Sequence, residues 1–275
     1  MTMPDDRDAP RERSELQKKL EFVRPYSMAL VSSLRLFTAG WTTKRGRARI
    51  VEMCRSIGYE HDRRVAPTLP VISAIDVAPE NVPVTIYNLD AVDGNVSEKE
   101  LVIISRIVAA RKPSRLFEFG TFDGRTTANL AANAEVDATV DTIDLPADAL
   151  ESLEVPIDER EKSYVEKPES GAKYKGLPVA SVIRQIYGDS IKYDFTQYHQ
   201  SIDFVFVDAS HAYEYVMSDS RNAFWMLSPH GGTIVWHDYG RWDGVTAALN
   251  KLQRESRDFI KLRWIKGTTL AILEV

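Results

Sequence analysis

The chain of 275 residues is predicted to adopt an α/β fold, a doubly wound sheet with helices on both faces behind an N-terminal helical extension. Three observations lead there. From Arg115 an apolar run enters a turn with Gly120 and Gly124 and leaves as a helix. Beyond that turn, strand and helix patterns alternate to the C-terminus, the signature of a parallel sheet covered on both faces. Ahead of it, apolar residues from Leu16 onward recur at helical spacing.

Composition narrows the function. Apolar residues make up 44% of the chain, enough for a real core. The net charge is -5, from 35 basic and 40 acidic residues, so the basic excess that nucleic-acid binding needs is missing. Cys54 is the only cysteine, which excludes an internal disulfide and any cysteine-based metal site within one chain; a reducing, cytoplasmic setting fits best. The N-terminus does not read as a signal peptide. The apolar stretch Tyr26 to Trp41 is interrupted by Arg35 and too short to span a bilayer.

Taken in order, residues 1–13 are charged, proline-containing and expected to be disordered. From Ser14 the pattern reads as one or two amphipathic helices with a break at Pro25, and Arg49 to Ile57 as another short helix. Lys44, Arg45, Arg47 and Arg49 form a basic run that reads as a solvated helix face, with contact to an anionic partner as the alternative. Between Arg63 and Asn95 four prolines punctuate short apolar pieces, a connecting segment expected to wrap the core or cover a pocket. The domain boundary is drawn after it: residues 1–95 form the extension and 96–275 the principal domain. Ser97 and Glu100 have capping-box spacing and open a helix over Glu98 to Arg111.

The strand after that helix, Leu116 to Phe119, runs into the glycine turn, where missing Cβ atoms let backbone approach a ligand and helix N–H groups face it. A dinucleotide fingerprint needs glycines at the first, third and sixth positions; here the third and sixth are Phe122 and Arg125. No Gly-Lys-Ser or Gly-Lys-Thr completes a phosphate loop either. Further strands are expected at Thr139–Leu145, Val182–Tyr187, Ile202–Val207, Thr233–Trp236, Phe259–Trp264 and Thr268–Val275, which makes seven. Helices are expected at Ala212–Leu227 and Asp243–Glu255, and a Lys266-Gly267 turn should join the last two strands. Residues 146–178 are polar and weakly periodic, an insertion placed to act as a lid.

Asp144 ends the second strand, where nucleotide-binding sheets place a carboxylate for ribose hydroxyls; an acidic helix cap is the alternative. Asp208, His211, His237 and Asp238 follow the fourth and fifth strands and should meet at the ligand-binding edge. Two carboxylates and two imidazoles there can bind a divalent metal or act as a general base. Trp236, Tyr239, Trp242 and Tyr213 lie nearby in sequence as a stacking wall for an acceptor, although core packing explains Trp236 equally well.

The phrases FEFGTFDGRTT, VDASHAYEYV and GGTIVWHDYG resemble those of class I S-adenosylmethionine-dependent methyltransferases, in particular bacterial small-molecule and sugar O-methyltransferases. The resemblance implies a Rossmann-like seven-stranded sheet with an antiparallel last strand, and methyl transfer to the hydroxyl of a small-molecule acceptor. It implies a cofactor site at Glu118, Gly120, Thr121, Phe122, Gly124, Thr126, Asp144 and Asp208, with Asp189 and Ser190 reaching the adenine unless they form a plain turn. Catalysis falls to His211, His237 and Asp238. Metal-dependent relatives hold magnesium with an aspartate after the fourth strand and an acidic pair after the fifth, here Asp208 and His237-Asp238. Imidazole is a poor magnesium ligand, so Asp208 and Asp238 leave open whether magnesium or another divalent cation binds. Self-association through the N-terminal helices is a further expectation. A metal-dependent hydroxylase-like enzyme and a non-catalytic oligomeric binding subunit are the alternatives.

Overall fold

The computed structural model describes residues 15–43, 45–47, 49–50 and 65–275, with side chains from residue 26. The charged start, Lys44, Cys54 and the remainder of the expected Arg49–Ile57 helix lie outside the described residues. The chain divides into two compact units, Met1–Asp62 and Arg63–Val275.

In the first unit, helix α1 (Glu15–Ala39) continues through Pro25, where the sequence predicts a break. Proline costs one ladder bond, and the other turns of a 25-residue helix carry the ladder past it. Tyr26, Leu30, Leu34, Phe37 and Trp41 are exposed along this helix and the turn that follows.

The second unit is built on one sheet of eight strands. They are β1 (Val71–Ile72), β2 (Arg115–Phe119), β3 (Thr139–Asp144), β4 (Ile183–Tyr187), β5 (Phe204–Val207), β6 (Thr233–Trp236), β7 (Arg263–Ile265) and β8 (Ala271–Glu274). Their spatial order is β1-β7-β8-β6-β5-β2-β3-β4, with only β8 antiparallel to its neighbours. Seven of these are the strands read from the sequence. The eighth, β1, is two residues of the proline-punctuated segment pairing at the edge with β7, too short to leave a period-2 pattern. The β7–β8 connection, residues 266–270, is longer than the predicted two-residue turn, because Ile265 N–H bonds the Leu270 carbonyl across it.

Neighbouring residues on the central strands alternate between two cores. Phe117, Phe119, Val205, Val207, Ile234 and Trp236 pack on one face, against α4 (Tyr213–Met226) and α5 (Asp243–Glu255). Leu116, Phe204, Phe206, Val235 and Ile272 pack on the other with Leu101, Ile104 and Ile107 of α2 (Glu98–Arg111) and Leu130 of α3 (Arg125–Asn133). Burial on both faces explains why these strands read as continuous apolar runs. Helix α2 starts with the predicted capping box between Ser97 and Glu100.

Residues 65–95 are bound to this unit by side chains reaching their backbone. Arg125, Asn129 and Asn133 stand four residues apart on α3 and share one face. The fully buried Arg125 guanidinium donates to the carbonyls of Asn88, Leu89 and Val96 at 2.5–2.8 Å. Asn129 and Asn133 each both accept from and donate to the backbone of Tyr87 and Thr85. On the other side Asn250 and the Tyr239 hydroxyl hold Ala66, Thr68 and Leu69.

Strand order reverses between β2 and β5. The chain steps outward through β3 and β4, then returns beside β2, so the C-terminal ends of β2 and β5 open a crevice.

Candidate active site

Two glycines shape the turn at the end of β2. Gly120 has φ 89°, and a Cβ there would stand 2.1 Å from the Asp208 carbonyl oxygen. Gly124 has φ 83°, with a virtual Cβ 2.6 Å from the Tyr174 ring. Each lies in the left-handed region and touches a neighbouring segment, so a side chain would push the turn off the sheet edge. Between them Phe122, also at positive φ (49°), turns its ring toward the Tyr164 ring, 5.7 Å between centroids.

A cavity of about 280 Å³ opens over this edge, near the lower end of ligand pockets. Of the predicted residues, Gly120, Phe122, Asp144, Ser190, Asp208, His211, His237 and Asp238 line it. Glu118, Thr121, Gly124, Thr126 and Asp189 stand outside the lining. Glu118 is fully buried behind the turn, its Oε2 accepting from Thr127 at 2.5 Å and Thr142 at 2.6 Å, while Oε1 has no partner among the described residues. Burial pushes its carboxyl up to about 8. Thr121 shares a hydrogen bond with Thr142 and accepts from Gln185. Gly124 seats the Tyr174 ring, and Thr126 is buried in the first turn of α3. Asp189 caps its own turn, accepting from the Ile191 N–H, while the adjacent Ser190 is buried and faces the cavity.

Asp144 ends β3 as predicted, and the insertion is on top of it. Lys167 Nζ lies 2.7 Å from Asp144 Oδ2, and the Ser170 hydroxyl donates to the same oxygen. Burial raises the Asp144 carboxyl, with the Lys167 ammonium opposing.

The four residues after β5 and β6 meet, and two further carboxylates join them. Asp238 has φ 62°, an unusual conformation that Asp tolerates better than most residues. Its Oδ2 sits 2.7 Å from His211 Nε2 and 3.3 Å from His237 Nδ1. Among the described residues Asp238 Oδ1 has no hydrogen-bond partner, and the Arg241 Nε lies 3.8 Å from it. His237 Nδ1 is also 3.1 Å from Asp208 Oδ1, and its Nε2 is 3.5 Å from Glu100 Oε2. His211 Nδ1 is 2.6 Å from Glu161 Oε1. Glu100 therefore serves both the α2 capping box and His237. Neither role of Glu100 at the site nor Glu161 was read from the sequence. The capping-box spacing explains Glu100 locally, and Glu161 sits in a stretch with no periodicity.

These contacts set the charges. Burial alone would lower His211, but hydrogen bonds to Asp238 and Glu161 outweigh it and raise it to about 9. His237 is likewise raised well above its ordinary value, Asp208 and Asp238 overcoming burial. Asp238 is held well below the usual carboxylate range by the two imidazoliums against the cost of burial. Glu100 is held low in the same way by His237. Four carboxylates around two imidazoliums leave the cluster negative, an environment that suits a cation.

The predicted stacking wall is mostly core. Trp236 and Tyr239 are buried, and the Trp236 indole N–H donates to Ser220. Tyr213 packs against the core from the start of α4. Trp242 lines the cavity, but the His211 ring stacks on it at 4.2 Å and the Arg160 guanidinium lies over it at 4.1 Å. Both of its faces are taken, so it braces His211.

Residues 117–239 match a family model described as a methyltransferase domain. Among solved structures, the O-methyltransferase NovP matches with a TM-score of 0.51 and 17% identity, over 65% of this chain and 80% of that one. The O-methyltransferase TomG from Streptomyces achromogenes, in complex with SAM, matches at TM-score 0.48 and 18% identity over 74% and 96%. An O-methyltransferase from Bacillus cereus in complex with SAH matches at 0.47 and 16% over 68% and 84%. At 17% identity the likeness to NovP is one of fold alone. No curated protein matches the chain in sequence. Among the described residues no helix is long and apolar enough to cross a membrane.

Proposed function

We propose that the protein methylates a hydroxyl oxygen of a small-molecule acceptor with S-adenosylmethionine. The observation that carries this is one cavity at the switch point joining Gly120 and Asp144 to the cluster of Asp208, His211, His237 and Asp238. The cofactor fits these residues: Asp144 offers a carboxylate for ribose, Ser190 lines the neighbouring wall, and the negative cluster suits a sulfonium and an ammonium. When bound, the cofactor supplies an electrophilic methyl group and a neutral thioether leaving group.

The residues of the chain then have two tasks. The first is to hold the acceptor oxygen in line with the methyl group, since orientation supplies much of the rate. The second is to take the hydroxyl proton. His211 Nε2, once its own proton is lost, is the base, exchanging its hydrogen bond to Asp238 for one to the acceptor hydroxyl while Nδ1 stays on Glu161, and His237 holds Asp208 and Asp238 in place. Asp208, His211 and Asp238 each bring a ligand atom within 4.8 Å of the others. This mixed nitrogen and oxygen set suits manganese, zinc or iron better than magnesium; such a cation would lower the pKa of the acceptor hydroxyl. The exposed apolar residues of α1 support self-association, which analytical ultracentrifugation tests. Calorimetry with S-adenosylmethionine and S-adenosylhomocysteine tests the main reading: micromolar binding is expected, and a flat titration would remove it.

A further inference from the structure

The insertion does more than cover the cavity. Its Glu161 is 4% exposed, and each carboxylate oxygen is occupied. Oε1 accepts both the backbone N–H and the Nδ1–H of His211, each at 2.6 Å, and Oε2 accepts the N–H of Asp158 at 2.9 Å. The ring is thereby fixed with Nε2 toward Asp238, and the loop that carries it is fixed as well. Next to Glu161, Arg160 lies over the Trp242 face opposite His211.

Six and nine residues beyond Glu161, Lys167 and Ser170 occupy Asp144, where the ribose hydroxyls would bind. Beyond them the insertion is tied to the glycine turn: Gly171 and Lys173 N–H groups bond the carbonyls of Phe122 and Asp123, and Lys173 Nζ pairs with Asp123 at 3.1 Å. One end is thus anchored. While Lys167 and Ser170 hold Asp144 Oδ2, that oxygen is closed to the cofactor.

We infer that residues 157–167 form a strap that opens to admit the cofactor, and that Glu161 on this strap is the positioning residue of His211, so the catalytic centre is assembled only on closure. This rests on the methyl-transfer reading for its purpose, though the strap and its contact can be tested without it. While the strap is lifted, His211 keeps Asp238 but loses the acceptor that fixes its Nδ1 and its backbone. Transfer is then confined to the closed, water-excluded state, the usual use of a lid.

The test uses the full chain labelled with 15N-histidine. Hydrogen-bonded, buried ring protons exchange slowly, so the His211 Nδ1–H should give a protected downfield resonance, assigned by its loss in His211→Gln. Glu161→Ala should lose it, and limited proteolysis within 157–167 should speed up by about tenfold, the scale of one charged hydrogen bond. Glu161→Gln, whose amide oxygen still accepts both His211 N–H groups while its NH2 faces the Asp158 N–H, should keep the resonance and be cleaved at a rate between those of the parent and Glu161→Ala. Glu161→Ser, too short to reach the ring, gives the same comparison should the alanine variant not fold. An alanine or serine variant that retains both the resonance and the parent cleavage rate overturns the inference. Saturating S-adenosylhomocysteine should change strap cleavage in the parent protein. If calorimetry finds no binding of that probe, the transfer reading is lost, while the resonance and the variant cleavage rates still decide the role of Glu161.

Discussion

Replacing Glu118 by Gln should stabilise the protein, and by more as pH rises. The carboxyl is fully buried at the end of β2, and its pKa is raised from 4.5 to about 8, chiefly by burial, with the Thr127 and Thr142 hydroxyls opposing. A raised acid binds its proton more tightly in the folded state. Its contribution is therefore most favourable below pH 4.5 and is lost progressively as pH climbs through 8. At pH 7 the unfolded carboxyl is ionised and the folded one is mostly neutral, a difference of about 2.5 pH units, or about 3 kcal/mol; by pH 9 it approaches about 5 kcal/mol. Gln presents an oxygen to both threonines and an amide where Oε1 has no partner, so it imitates the protonated acid without titrating. Urea unfolding of both proteins at pH 5, 7 and 9 reads the effect directly. The variant should match the parent near pH 5 and gain steadily above it. Parallel stability curves from pH 5 to pH 9 would refute a buried, neutral Glu118.

Three other substitutions or conditions follow from the same contacts. Arg125→Met strands three backbone carbonyls of residues 88–96 and should cost about 3 kcal/mol or more in urea unfolding. Asp144→Asn should weaken S-adenosylhomocysteine by about tenfold or more in calorimetry, since a charged hydrogen-bond acceptor for ribose is lost; unchanged affinity would take Asp144 out of the cofactor site. With a chelator present and an acceptor in hand, kcat should climb with pH toward a midpoint of about 9, where His211 gives up its proton; a flat profile, or a His211→Ala variant with the same rising limb, would assign the base elsewhere.

Much of this protein is legible in its sequence because the signals are local. Alternating apolar runs and glycine spacing place seven of the strands and both helices that follow β5 and β6, as the match of Asp243–Glu255 illustrates. Ser97 and Glu100 announce a capping box that forms as read. The topology rule for open parallel sheets brings Asp144, Asp208, His211, His237 and Asp238 to one edge without coordinates.

What the chain order conceals is anything decided by which distant segment fills a space. The proline-punctuated piece carries no periodicity, so contacts from distant residues determine where it runs: Arg125, Asn129 and Asn133 of α3 toward one end, Asn250, Tyr239 and the β7 edge toward the other. Glu161, 50 residues before His211 in a polar insertion, becomes its partner through packing alone. The protonation of both histidines follows from four carboxylates converging on them, and convergence is a property of the folded chain. Sequence by itself determined seven of the strands and the residues at their C-terminal ends, because period and turn chemistry act within a few positions. Tertiary structure alone decided the charge of those residues and the strap that holds one of them, because burial and electrostatics depend on distance in space.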